Sequence, residues 1–201
     1  MALVVDSLLE ELGVPFESVR IHLEAGEQKR PEYLRINPKG KVPALETPEG
    51  VLTESIAICE YLCERHDPAH RWMGAPGSWE RAKVRERVAT YATERQPLFS
   101  RFFHPDDFSP DAAVRAAVKD HATARLQAWF AQEDAALAGV APPQSPTVAD
   151  LHFMVMARWG RWLTPPANEM PHIRPHYERM IARPAVARVF AREGIKPYGT
   201  T

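Results

Sequence analysis

Apolar positions recur at i, i+3, i+4 and i+7 at the start of the chain. Val5, Leu8, Leu9 and Leu12 predict an amphipathic helix over residues 2–12, stopped by Gly13. From Phe16 to Leu23 the period changes to two. Val19, Ile21 and Leu23 fall on one face and Ser18, Arg20 and His22 on the other, the pattern of a half-buried strand. Glu24 to Arg30 is polar, and Pro31 opens a short helix through Ile36. The next stretch, INPKGKVPALETPEGVLTESIAICEYL (36–62), reads as loop, short strand (43–46), tight turn, second short strand, and a helix from Ser55. Thr47-Pro48-Glu49-Gly50 is hairpin chemistry, with proline preset for a turn and glycine tolerant of positive φ. Ile56, Ile58, Cys59, Leu62 and Cys63 carry the apolar side of the helix.

The pattern lapses at HDPAHRWMGAPGS (66–78), which reads as a linker. Beyond it the chain reads as helical, with no convincing strand. Val84, Val88, Tyr91 and Phe99 fall near helical spacing across 79–103, with Pro97 as a kink. Residues 111–137 are Ala-rich and helical, and APPQSP (141–146) is a loop. Thr147-Val148-Ala149-Asp150 is a capping box with Asp in place of the usual Glu or Gln. The helix it opens, through Leu163, is apolar almost all round and so predicts burial at a domain centre. Pro171 and Pro184 open two further helices. The organisation predicted is an α/β unit over 1–65, a linker over 66–78 and an all-helical unit over 79–201.

Composition narrows the classes. The 201 residues are 45% hydrophobic, enough for proper cores. The 25 basic and 26 acidic residues leave a net charge of −1, which argues against a nucleic-acid backbone binder or a membrane-surface protein. No run reaches the ~20 apolar residues of a spanning helix. The acidic start, MALVVDSLLEELG, does not read as a secretory leader. Cys59 and Cys63 read as small buried hydrophobes in a reducing cytoplasm, and no Cys/His set has metal-ligand spacing. His66, His70, His172 and His176 have no ligand company. Arg158 and Arg161, inside an apolar helix, need partners such as Asp150 or another acid, or else reach a cleft.

Two places carry candidate chemistry. A proline at a strand start cannot donate to the ladder. Val42-Pro43 is either an ordinary trans step or a cis turn that presents the Val42 amide and carbonyl to a ligand. Thr53-Glu54-Ser55 is either a plain helix cap or a carboxylate site at a helix N-terminus, with Glu54 set to meet an amine. The functional readings together suit an amino-acid-like zwitterion joined to a peptide backbone.

NPKGKVPAL followed by LTESIAICEYL resembles the glutathione-binding half of a glutathione transferase N-terminal domain. SPTVADLHFMVMARWGRWL resembles that family's central C-terminal helix, and IARPAVARVFAREGI resembles the C-terminal helices of bacterial, beta-class-like members. The resemblance implies a thioredoxin-like N-terminal domain, an all-α C-terminal domain, a cytoplasmic two-fold homodimer, and glutathione as co-substrate with no metal. It implies that Val42, before a cis Pro43, pairs with the cysteinyl backbone of glutathione. Glu54 and Ser55 would hold the γ-glutamyl amine and carboxylate, Lys41 would face the tripeptide, and Lys29 would reach the glycyl carboxylate. Gln96 occupies the place of a thiol-facing histidine. Phe102, Phe103, His104 and Trp159 are candidates for an apolar second-substrate pocket.

The family pattern begins with a strand and a loop bearing the residue that contacts the glutathione sulfur, and Met1 falls after both. Ser7 lies mid-helix and is no substitute. The sequence therefore predicts either a start assigned too late or a short chain whose sheet has a gap between strands 16–23 and 43–46. It leaves the catalytic residue unassigned. Two functions stand side by side: conjugation of glutathione to, or reduction of, a small hydrophobic electrophile, and a non-catalytic glutathione-binding or interaction protein. A glutathione-dependent isomerase or dehalogenase on the same fold is a third.

Overall fold

The computed structural model describes residues 1–140 and 145–198. Helix α1 (Ala2–Leu12) buries Val4, Val5, Leu8 and Leu9. It ends at Gly13, whose φ of 66° is left-handed and costs glycine little. The expected strand at 16–23 is not formed: these residues belong to no ladder. Phe16, Ser18 and Ile21 turn partly inward while Val19 is 72% and Leu23 50% exposed, so the burial does not follow the predicted alternation. Alternation gives a segment the shape of a strand. Without a neighbour to bond it has no ladder.

Helix α2 (Pro31–Ile36) starts at the proline as predicted. Strands β1 (Ala44–Thr47) and β2 (Gly50–Thr53) make an antiparallel hairpin, the two-stranded sheet of the described residues. Its register runs from Ala44↔Thr53 to Thr47↔Gly50. Helix α3 (Ser55–His66) follows and buries Ile58, Cys59, Leu62 and Cys63. Glu49 in the turn accepts from Arg65 at 2.9 Å and Tyr61 at 3.2 Å, which ties the hairpin to α3.

Residues 67–78 are compact turns. Asp67 is buried and accepts the Trp72 amide at 2.8 Å, while Trp72 and Met73 enter the core. The predicted helix over 79–103 is two helices, α4 (Trp79–Thr90) and α5 (Gln96–Phe103), joined by a π-turn at Tyr91–Arg95. Pro97 cannot donate the bond that would continue a regular helix, and the break falls one turn before it. Helix α6 (Ala112–Leu137) is capped by Asp111, whose carboxylate accepts from the Ala113 and Val114 amides. Of the loop predicted at 141–146, residues 141–144 lie outside the described residues.

Helix α7 (Val148–Trp159) is the centre of the molecule. Every residue from Val148 to Ala157 is buried, and α1 and α4 pack against it. The capping box forms: Asp150 Oδ2 accepts the Thr147 amide at 2.7 Å and the Thr147 hydroxyl at 2.8 Å. Asp150 is therefore not the partner of Arg158 or Arg161; its carboxylate serves Thr147 and lies 3.9 Å from His176. Arg161 instead donates to the Arg158 carbonyl at 2.8 Å. The α-helix stops at Trp159, short of Leu163, and a tight turn follows. Gly160 packs so closely there that a Cβ would stand 2.6 Å from Ala167 and 2.7 Å from Phe130.

Helix α8 (Ile173–Ile181) begins two residues after Pro171, because its cap comes from elsewhere. Asp134 of α6 accepts the His172 and Ile173 amides at 2.8 and 2.9 Å. Helix α9 (Pro184–Arg192) does start at its proline. It lies on α1, and its ion pairs reach the first helix: Arg183 to Glu11, Arg188 to Glu10, and Arg192 to Glu10 and Asp6. One buried cluster runs from Val4 to Phe190. No described helix is long and apolar enough to cross a membrane.

Candidate functional site

The loop before β1 is built from inside. Asn37 is buried, donates to the Lys41 carbonyl at 2.6 Å and accepts the Lys39 amide at 3.1 Å. The Tyr33 hydroxyl donates to the same carbonyl at 2.7 Å. Lys41 is thus fixed through its backbone, while its side chain is exposed. The Val42-Pro43 bond is cis. Neither the Val42 N–H nor its C=O has a backbone partner among the described residues. The hairpin pairing begins at Ala44↔Thr53, so Val42 and Ser55 each lie two residues beyond its paired end. Lys29 also comes to this loop: a Cβ on Gly40, where φ is 60°, would meet the Gln28 carbonyl at 2.9 Å and Lys29 Nζ at 3.1 Å.

The other strand of the hairpin runs directly into the start of α3. Glu54 has φ 70° and ψ 115°, a strained setting for a residue with a Cβ. Its carboxylate is exposed and meets Lys39 Nζ at 2.7 Å; Lys39 also donates to Thr53 at 2.9 Å. Lys39, absent from the residues singled out in the sequence, is the lysine that pairs with Glu54. Among the described residues no side chain caps α3. The plain-cap reading of Thr53-Glu54-Ser55 therefore fails. The first amides of the helix, Ser55 included, point outward with the positive end of the dipole behind them.

Ser55 has a neighbour that the sequence did not bring forward. His152 of α7 is 2% exposed and places Nε2 at 3.5 Å from Ser55 Oγ, with Nδ1 at 2.9 Å from the Val148 carbonyl. Burial pushes its pKa down from 6.5 to about 4, against the Val148 carbonyl that favours the cation. The only sequence signal was a histidine inside an otherwise apolar helix. A pH dependence follows. Between pH 6.5 and about 4 the unfolded chain takes up a proton that folded His152 refuses, so the stability this group contributes is complete above 6.5 and falls as pH drops toward 4. The expected loss is at most about 3 kcal/mol. Urea titrations across that range should show His152→Gln with a flatter slope than the parent; an unchanged slope would assign the effect elsewhere.

The aromatic candidates do gather. Phe103 lies 5.0 Å from Phe102 and 6.4 Å from both His104 and Trp159 between ring centroids, and Phe99 lies 5.2 Å from Trp159. Phe102 is buried, whereas Phe103 is 38% exposed. Trp159 follows His152 by seven residues on α7, so both sit on one face about 10 Å apart along the axis. Gln96 is exposed at the start of α5. Ser7 is fully buried on α1 and its hydroxyl has no partner among the described residues. Cys59 and Cys63 are buried, and burial pushes the Cys63 thiol up to about 12 and Cys59 well above its ordinary value. Among the described residues no group of three or more His, Cys, Asp or Glu is arranged to hold a metal ion.

The family model described as "Glutathione S-transferase, N-terminal domain" matches residues 1–64. The glutathione S-transferase GstA of Escherichia coli O157:H7 is 30% identical over 197 residues, covering 94% of this chain and 92% of the relative. The chain belongs to the glutathione S-transferase family. Solved transferase structures agree in fold. The glutathione S-transferase from Xylella fastidiosa superposes with a TM-score of 0.82 at 28% identity, covering 96% of this chain and 94% of that one. A sphingomonad glutathione S-transferase solved in complex with glutathione gives 0.78 at 27%, with 96% and 94% covered. The glutathione S-transferase fold so matched is a thioredoxin-like half followed by a helical half, and the loop between α2 and α3 lies in the matched N-terminal part.

Proposed function

We propose that this glutathione transferase grips glutathione between Val42 and the start of α3 and joins its sulfur to a small hydrophobic electrophile. The observation that carries the reading is the uncapped N-terminus of α3 together with an unpartnered Val42 backbone, each lying two residues beyond the same end of the hairpin. Val42 would bond the cysteinyl backbone as an added strand does. The α3 amides and Ser55 would take the γ-glutamyl carboxylate, Glu54 the ammonium, and Lys29 the glycyl carboxylate, with Lys41 facing the tripeptide. Gln96 would lie near the thiol, and Phe102, Phe103, His104 and Trp159 would hold the electrophile. In the reaction the thiol gives its proton to solvent, the sulfur forms a bond to the electrophilic carbon, and the leaving group departs with its electron pair. A two-fold homodimer in the cytoplasm is part of this reading.

A second reading keeps the grip and drops the chemistry. It is favoured by the groups that could act on sulfur: Ser7 is buried, and the two cysteines are held protonated by burial. A conjugation assay with a nitro-activated aryl chloride separates the two. Turnover dependent on glutathione, with Ser55→Ala raising the glutathione KM by about tenfold or more, supports the transferase. Glutathione binding by calorimetry without turnover supports the second reading. No binding removes both.

A further inference from the structure

Arg158 and Arg161 end α7 as neighbours without a counter-ion. Arg161 donates to the Arg158 carbonyl at 2.8 Å, which ties the two into one turn. Among the described residues neither pairs with a carboxylate, and the Nε of each is buried without a hydrogen-bond partner. The acids of the elements around them are engaged elsewhere. Asp150 holds Thr147, Asp134 holds the amides that open α8, and Glu178 meets Arg174 at 2.8 Å. Tyr177, which shares their surroundings, is neutral: burial pushes its pKa up to about 12, and its hydroxyl donates to the Pro197 carbonyl at 2.5 Å. Burial pulls both guanidiniums down, Arg161 to about 10 with the Arg158 charge adding to the fall, and both still carry their charge at neutral pH. Two half-buried cations with unmatched donors destabilise a fold unless an anion meets them.

The pair is open on one side. Arg161 lies over the Trp162 ring at 4.9 Å, and Trp162 is 46% exposed. Tyr198, 41% exposed, stands edge-on to Tyr177 at 5.9 Å. On the inner side the same turn packs on Ala167, and the next residue, Asn168, is fully enclosed with both amide atoms unpaired among the described residues. We propose that Arg158 and Arg161 form a binding site for an aromatic carboxylate. The carboxylate bridges the two guanidiniums, whose free Nε edges match its paired oxygens, and the ring lies against Trp162 and Tyr198. The site shares no residue with the glutathione grip or the Phe103 pocket, and it goes beyond the glutathione reading without depending on it.

The test uses benzoate as the probe, with benzamide as its neutral isostere and sulfate as a bare anion, on protein held in saturating glutathione. Benzoate should bind and should shift the indole N–H resonance of Trp162, assigned through Trp162→Phe, while that of Trp79 stays in place. Benzamide should bind at least tenfold more weakly, and sulfate more weakly than benzoate. Arg161→Gln and Arg158→Gln should each weaken benzoate by about tenfold or more. Arg125→Gln, the same charge change at an exposed site on α6, should not. A second readout separates a ligand site from a structural role. Without ligand, Arg161→Gln should raise Tm by about 2 °C, because it removes an uncompensated charge, and it should lose the rise in Tm that benzoate gives the parent. A lower Tm in ligand-free Arg161→Gln overturns the proposal, as do equal binding of benzamide, a Trp162 resonance that does not move, or benzoate binding that survives both substitutions. Sulfate binding as tightly as benzoate overturns the assignment to an aromatic acid. A protein that ignores glutathione overturns the transferase reading alone, since the same titrations run without it.

Discussion

An Asp150→Ala protein is expected to lose about 3 kcal/mol of stability, from a cap lost and buried donors left unpaired. Asp150 is 4% exposed, and its Oδ2 takes both the amide and the hydroxyl of Thr147. Alanine leaves both donors without that partner at the mouth of the most buried helix. It also removes the carboxylate beside His176, which burial already keeps from charging readily. For a chain of this length the loss corresponds to a fall in Tm of about 6–12 °C. Urea unfolding should show a lower midpoint with an unchanged slope. Asp150→Asn keeps the shape and one acceptor oxygen and should lose less than alanine. A loss below about 1 kcal/mol in the alanine protein would mean that α7 is held by its packing, with the cap incidental.

Glu54→Gly is expected to move stability and binding in opposite directions. Glu54 sits at φ 70°, ψ 115°, a conformation that costs a residue with a Cβ about 1–3 kcal/mol and glycine far less. Glycine gives back part of that gain through the unfolded chain, so a net rise of about 1 kcal/mol is expected. The Lys39 contact subtracts little, because both side chains are exposed. Glutathione affinity should fall by about ten- to a hundredfold with the loss of the carboxylate. Calorimetry and thermal scans on one preparation check both signs. Lower stability together with intact binding would refute the account of this residue.

Local patterns were legible because their causes are local. The 2–12 helix with its glycine stop, the Pro31 and Pro184 helix starts, the Thr47–Gly50 turn and the Thr147–Asp150 box each depend on residues a few positions apart. What the sequence hid is set by distant partners. Residues 16–23 alternate like a strand, but pairing decides a strand. Helix α8 starts where Asp134 caps it, 38 residues upstream of His172, and not at Pro171. Within the site, Val42, Glu54 and Ser55 stood out because the motif is contiguous. Lys39 did not, since three lysines flank the loop and only the backbone turn at Gly40 decides which meets Glu54. His152 did not, since its place beside Ser55 depends on a contact between helices.

The ion pairs between α1 and α9 bear on how the chain is made. Glu10 and Glu11 meet Arg183, Arg188 and Arg192, residues more than 170 positions later. During synthesis α1 therefore has one face uncovered until α9, more than 170 residues later, has emerged. Such long-range closure slows folding and exposes apolar surface in the interim. The nascent chain would be expected to gain its final protease resistance late, when α9 docks, and not when residue 66 clears the exit tunnel.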